Sequence, residues 1–340
     1  MDGSTGEVFL APSPEERRVL QERAAELRDA LASSSGPGTT ADGHRVPLLA
    51  NIGGPADVDA AVAAGAEGVG LFRTEFLFLD ATVAPSEEDQ VEAYRTVLTA
   101  FGEGRVVVRV LDAGADKPLG FLTPADEPNP ALGVRGLRTL LEHPEVLRAQ
   151  LRALATAARG LPARLEVMAP MVADRADARA FAEVCREVGL PGAYGAMVEI
   201  PSAALRAGSI LDEVDFLSIG TNDLAQYAFA ADRQVGALAR LQDPWQPALL
   251  ELIALAAGAA AEAGKSCGVC GEAAADPLLA CVLTGLGVTS LSMGAAALPL
   301  VRTTLARYTL EQCRAAAGAA RGARDAEDAR RAVREVLGVA

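Results

Sequence analysis

The sequence predicts an α/β fold: a closed (β/α)8 barrel of the TIM type over residues 44–340, preceded by a helical linker arm at residues 1–43. Three observations lead there. The chain has 340 residues and is 50% hydrophobic, ample for one large core. From Arg45 onward, eight short apolar, β-branched runs alternate with longer helical patterns. Residues capable of chemistry gather at the C-terminal ends of those runs, the face on which such barrels build their sites.

The strand candidates are Val46–Ile52, Gly68–Phe72, Val106–Asp112, Arg164–Pro170, Tyr194–Ile200, Asp215–Gly220, Cys267–Gly271 and Ser290–Met293. They are near-continuously apolar, as strands covered on both faces should be. Helical patterns run over Asp57–Ala64, Asp89–Phe101, Arg138–Ala158, Asp174–Val188, Pro247–Ala263 and Asp276–Thr284. An open doubly wound sheet is the alternative, but no G-x-G-x-x-G follows the first strand, where the text is NIGGPADV. In the arm, Gly6–Leu10 suits one short strand. Ser13 as N-cap and Pro14 at the first helical position start a charged helix over Glu15–Leu31. Ser33–Gly43, rich in Ser, Gly and Thr, reads as a flexible break.

The balance of 45 acidic against 31 basic residues gives a formal net charge of -14, which argues against nucleic acid or an anionic membrane as partner. Local arginine clusters remain compatible with a small anion. The N-terminus has no apolar stretch of signal-peptide type, and Ala248–Gly264, interrupted by Glu251 and Glu262, reads as a buried helix and not a membrane span. Five irregularly spaced cysteines, Cys185, Cys267, Cys270, Cys281 and Cys313, do not form a secreted disulfide pattern; a reduced, cytoplasmic setting is expected.

The polar residues at the strand ends suggest a ligand. Arg73, Arg109, Arg135 and Arg233, with Lys117, form a candidate cationic cluster. Arginine offers a planar fork that matches carboxylate and phosphate oxygens. A compact ligand with two or three negative charges is implied. Glu199 and Asp223 are a sparse pair of hard oxygen donors of the kind that holds Mg²⁺ together with substrate oxygens and water. Any one of these arginines alone is more often a structural salt-bridge partner, so the ligand reading rests on their convergence. Cys267-Gly-Val-Cys270 is open to three readings: redox pair, half a zinc site, or buried inert thiols. The two histidines, His44 and His143, have no metal-like context. Cys270, glycine-flanked at a strand end, is a credible catalytic acid, and the other four cysteines read as structural.

The motifs GVGLFRTEFLFLD (68–80), VVVRVLDAGADKPLGFL (106–122), NPALGVRGLR (129–138), GAMVEIPSAAL (195–205), DFLSIGTNDLAQYAFAADR (215–233) and GVCGEAAADP (268–277) together resemble Enzyme I of the bacterial sugar phosphotransferase system, the phosphoenolpyruvate (PEP)–protein phosphotransferase family. The resemblance runs from about residue 45 to 300, and the arm resembles the linker that follows the family's histidine domain. It implies that Arg73 and Arg109 hold the phosphate of PEP, with Arg135 and Lys117 in the same cationic set. It implies that Asn222 and Arg233, with Asp223, orient the substrate, and that Glu199 and Asp223 ligate Mg²⁺. Cys270 is implied as proton donor to the substrate's methylene carbon, in a phosphoryl transfer that releases pyruvate.

The resemblance also implies a homodimer, a histidine domain as phosphoryl acceptor and, through it, the phosphocarrier protein HPr, at the first step of sugar uptake. Neither His44 (ADGHRV) nor His143 (LEHPEV) stands in the family's acceptor context, so the expectation is a donor site whose acceptor lies on a separate domain. Two alternatives remain: the corresponding barrel of a dikinase or PEP synthase, and a non-catalytic PEP-sensing dimerisation module.

Overall fold

The computed structural model describes residue 10, residues 13–78, 84–114, 119–120, 122 and 127–339, without the side chains of residues 23 and 26–33. Among these, eight parallel strands close in chain order into a barrel: β1 (Leu48–Ile52), β2 (Gly68–Arg73), β3 (Arg105–Arg109), β4 (Arg164–Ala169), β5 (Ala193–Val198), β6 (Phe216–Ile219), β7 (Ser266–Val269) and β8 (Ser290–Met293). The last strand pairs with the first, Leu48 beside Leu291 and Ala50 beside Met293. All eight overlap the expected runs. The wrapping helices are α1 (Pro14–Ser33), α2 (Val58–Ala63), α3 (Glu87–Ala100), α4 (Leu137–Glu142), α5 (Pro144–Ala158), α6 (Arg175–Glu187), α7 (Pro201–Leu205), α8 (Ala207–Leu211), α9 (Thr221–Ala228), α10 (Pro247–Glu262), α11 (Pro277–Gly285), α12 (Leu298–Leu305), α13 (Leu310–Arg321) and α14 (Ala326–Leu337).

Strand alternation sorts the core into two parts. Val106, Val108, Val167, Val198, Leu217, Ile219, Cys267 and Leu291 face the helices in one continuous apolar shell. Leu71, Val107, Met168, Met197, Phe216 and Cys270 form a small cluster inside the barrel. A period of two therefore carries Gly195, Met197 and Glu199 inward along β5, and Gly268 and Cys270 inward along β7. Cys267 and Cys270, three apart, lie in opposite layers, which excludes them as a redox or metal pair. All five cysteines are free and buried.

Three features depart from the sequence expectation. The helix read as Arg138–Ala158 is two helices, broken at His143. The residue before a proline is driven out of the α region, and His143 sits at φ −122°, ψ 64°, while Pro144 opens α5 where its missing N–H costs nothing. The stretch read as a flexible break is fastened over its second half. Thr39 pairs with Arg45, Thr40 is buried, Ala41 N–H donates to Tyr308 O at 2.9 Å, and Asp42 accepts from Leu310 N–H at 3.1 Å at the start of α13. The helices α7, α8, α9 and α12 and the terminal pair α13 and α14 fall outside the expected helical patterns. The helix start at Ser13 is as expected: Ser13 Oγ accepts from Glu16 N–H at 3.2 Å and Glu16 Oε2 from Ser13 N–H at 2.7 Å, a reciprocal cap. The candidate strand Gly6–Leu10 lies outside the described residues except for Leu10. No helix among the described residues is long and apolar enough to cross a membrane.

Candidate active site

A cavity of about 220 Å³ opens at the C-terminal end of the barrel, lined among others by Arg73, Arg109, Glu199, Asn222, Asp223, Arg233 and Cys270. It is smaller than the ~300–1,000 Å³ typical of drug-sized ligands and suits a compact one. Parallel pairing sets Arg73 beside Arg109 at the ends of β2 and β3. Glu199 follows β5, and Cys270 follows β7. Asn222 and Asp223 lie in the first turn of α9, directly after β6.

Arg109 is buried, so its charge must be compensated. Its Nη2 donates to Glu75, and its Nη1 lies 3.1 Å from Asp112 Oδ2. Burial, the largest influence, would lower its pKa, but Glu75, Asp112, Glu199 and Asp223 outweigh it, and the guanidinium is held more firmly charged than usual. Arg135 is held in the same way. Its Nε and Nη2 fork onto the two oxygens of Asp112, both at 3.1 Å, and its Nη1 reaches Asp223 Oδ1 at 3.2 Å. Arg233, about a third exposed at its side chain, reaches Asp223 Oδ2 at 3.5 Å.

Arg135 therefore differs from the expectation. It does not line the cavity; it stands behind Asp112 and Asp223 and fixes their orientation. Lys117 lies outside the described residues. Glu75, Asp112 and Gly220 belong to the site in roles the sequence reading did not assign. The first two were visible as carboxylates just past strand ends, but nothing local marked them as arginine partners.

Glu199 is only half satisfied. Its Oε1 accepts from Met171 N–H at 2.6 Å, while its buried Oε2 has no partner. Burial first, then Asp223 and Asp112, pushes its pKa up to about 7. A Cβ at Gly220 would stand 2.9 Å from that same oxygen, so the glycine leaves the space beside it. No group of three or more potential ligands is assembled among the described residues. The donor set is thus two carboxylates, Glu199 and Asp223, facing one cavity. Hard oxygens in that number, one of them orphaned, fit Mg²⁺ completed by substrate oxygens and water.

Cys270 sits at the floor of the cavity. Its Sγ accepts from Ser218 Oγ at 3.2 Å and donates to Ile219 O at 3.6 Å. Burial raises its pKa, the Ser218 bond opposing, so it remains a thiol at neutral pH. Asn222 Oδ1 accepts from Glu272 N–H at 3.1 Å, which holds its side chain at the cavity wall. Beside the cavity a larger cleft of about 690 Å³ runs along the loop after β1 and shares Arg73 and the exposed Phe76. His44 and His143 line neither space.

Cations, a carboxylate pair and a protonated thiol thus surround one compact cavity. Residues 28–310 match the family described as PEP-utilising enzyme, PEP-binding domain. The chain belongs to that family. It is 75% identical to a phosphoenolpyruvate-protein phosphotransferase of Streptomyces coelicolor over 99% of this chain and 61% of that protein. It is 44% identical to the protein of that name from Staphylococcus carnosus, over 87% and 54%. A multiphosphoryl transfer protein of Xanthomonas campestris is 40% identical over 90% of this chain and 37% of its own length. The chain thus spans at most about three-fifths of these relatives. Among PEP-utilising enzymes, the resemblance falls on the phosphotransferase members that the motifs at 68–80 and 215–233 pointed to.

Proposed function

We propose that this PEP-binding domain holds PEP with Mg²⁺ and supports transfer of its phosphoryl group to a histidine on a separate domain, releasing pyruvate. The reading follows the phosphotransferase relatives and places the chain in the sugar phosphotransferase system, with the phosphocarrier HPr downstream of the histidine domain. It also carries the expectations of a homodimer and of a cytoplasmic setting. The observation that carries the proposal is the pairing of an arginine-walled cavity with the partnerless Glu199 Oε2 and the thiol of Cys270 at its floor.

Each residue has a physical task. Arg73, Arg109 and Arg233 neutralise the phosphate and carboxylate of PEP, and Asn222 orients it by its amide. Glu75 and Asp112 keep Arg109 charged and aimed, so that no reorganisation is needed as charge shifts in the transition state. Glu199 and Asp223 would hold the metal, which when bound supplies positive charge to the oxygens of substrate and transferring phosphoryl. Loss of the phosphoryl leaves the enolate of pyruvate. Cys270, kept protonated by burial, gives its proton to carbon C3. Protonation to the ketone makes the transfer strongly favourable in the forward direction. The cleft beside Phe76 offers the approach for an incoming imidazole.

The test is reconstitution in trans. With a histidine domain and HPr added, labelled PEP is expected to label HPr only when this chain and Mg²⁺ are present. Labelling of HPr by PEP and this chain without the histidine domain would contradict the separate acceptor. Tight PEP binding with no transfer in the full mixture would favour a sensor.

A further inference from the structure

Below Cys270 one side of the barrel interior is polar, beside the apolar Val107 and Leu49, where such barrels are ordinarily filled by branched apolar side chains. Ser218 on β6 and Ser290 and Ser292 on β8 point inward and are buried. With Arg105 of β3 they line a void of about 10 Å³. That is close to the ~10–15 Å³ that accommodates one water, and the walls supply the two to four polar partners a water requires. The space is kept open by glycines: a Cβ at Gly70 would stand 2.4 Å from Ser292 Oγ, and one at Gly268 2.6 Å from Ser290 Oγ.

Hydrogen bonds lead away from the void in both directions. Upward, Ser218 Oγ donates to Cys270 Sγ at 3.2 Å. Downward, Arg105 Nη1 reaches Ser290 Oγ at 3.4 Å, and Arg105 pairs with Glu166 at 2.6 Å. That pair is 15% and 19% exposed at its side chains, so it meets solvent at the barrel floor. A buried serine column costs free energy against an apolar filling unless its groups are satisfied. The mechanism described above makes no use of Ser218, Ser290 or the void.

We infer that Ser218 is a proton-relay residue that restores Cys270 from the barrel floor, through the water-sized void, while product still covers the thiol from above. The inference rests on the proposed role of Cys270 as the acid. After Cys270 gives its proton to C3, its Sγ is a thiolate. Ser218 passes its hydroxyl proton to Sγ, and the Ser218 oxygen takes one from a water in the void. That water is replenished past Ser290 from solvent at Arg105 and Glu166. One proton moves from solvent to sulfur and nothing is oxidised or reduced.

The experiment is deuterium exchange into the methyl group of pyruvate, followed by proton NMR in D₂O with this chain and Mg²⁺. Cys270 must both remove a C3 proton and trade it with solvent for deuterium to appear. Ser218→Ala is expected to slow exchange at least about tenfold, since a positioned proton-transfer group contributes roughly 10²–10⁴. Pyruvate affinity by calorimetry stays at the wild-type value, which a merely structural role would not leave untouched. Ser218→Thr, which keeps the hydroxyl, restores most of the rate. Ser290→Ala, one step nearer the floor, slows exchange as well. Cys270-dependent exchange at the wild-type rate in Ser218→Ala overturns the relay alone, and a wild-type rate in Ser290→Ala overturns the route from the floor. No exchange by the wild type, or exchange that survives Cys270→Ala, overturns the acid role of Cys270 and the relay with it.

Discussion

Arg135 forks onto Asp112, its Nε and Nη2 each 3.1 Å from a different carboxylate oxygen, with both side chains buried. Asp112 also faces Arg109, and Arg135 also faces Asp223. One buried pair thus ties an arginine of the cavity wall to a carboxylate of the candidate metal site. Removing either partner leaves the other buried charge only partly compensated, a loss of up to about 3–5 kcal/mol. Urea unfolding of Asp112→Ala should show a loss of that size. Arg135→Lys should recover only part of what Arg135→Ala loses, because an ammonium cannot make the fork.

Glu199 makes the stability of the ligand-free barrel depend on pH. Its folded pKa, about 7, lies above its ordinary value of 4.5. The folded state therefore favours the protonated acid. Its contribution to stability is full below 4.5 and is lost as pH rises through about 7. Glu199→Gln should raise the melting temperature at about pH 8 and change it little near pH 4. Saturating Mg²⁺ with PEP should stabilise the wild type at about pH 8 far more than the variant, by binding only the folded state. Calorimetric melts across pH check both parts.

Gly220→Ala should damage binding without damaging the fold. Gly220 has φ −89°, which any residue adopts, so no backbone strain arises. The added methyl would stand 2.9 Å from Glu199 Oε2 and 3.0 Å from Met197 Cε. The carboxylate must move from the position in which it faces the cavity. Mg²⁺-dependent PEP affinity is expected to fall at least about tenfold, near 1.4 kcal/mol, with a melting temperature close to wild type.

The two neighbouring cysteines should separate in function. Cys270→Ala should leave PEP affinity near wild type and lower turnover in the reconstituted transfer by about 10²-fold or more. Cys267→Ala, in the shell that faces the helices, should leave turnover unchanged and cost roughly 1 kcal/mol in stability. Turnover assays and urea melts on the two variants make the comparison.

Much of this was legible in the sequence because burial writes on it directly. Strands covered on both faces must be apolar, so β1 to β8 stood out, and a polar residue directly after such a strand has little place to go but the rim. Arg73, Arg109, Glu199, Asn222, Asp223 and Cys270 all stand out in that way. The rest depends on partners distant in the chain. Whether an arginine lines a cavity or braces its wall is decided by what it meets. Arg135 meets Asp112, 23 residues earlier, and Asp223, 88 residues later, which no local pattern reveals. The break at His143 was locally encoded by Pro144, but the apolar periodicity on either side masked it. The interior Ser218 and Ser290 were hidden in β6 and β8 because a serine in an apolar strand carries no sign of which layer it faces.

Calorimetric titration of PEP into the wild type and Arg109→Ala, with and without Mg²⁺, bears most directly on the site. The account predicts saturable, Mg²⁺-strengthened binding to the wild type and affinity weakened by at least about tenfold in Arg109→Ala, the loss of a charge-assisted contact. Equal affinity in the two proteins would contradict it.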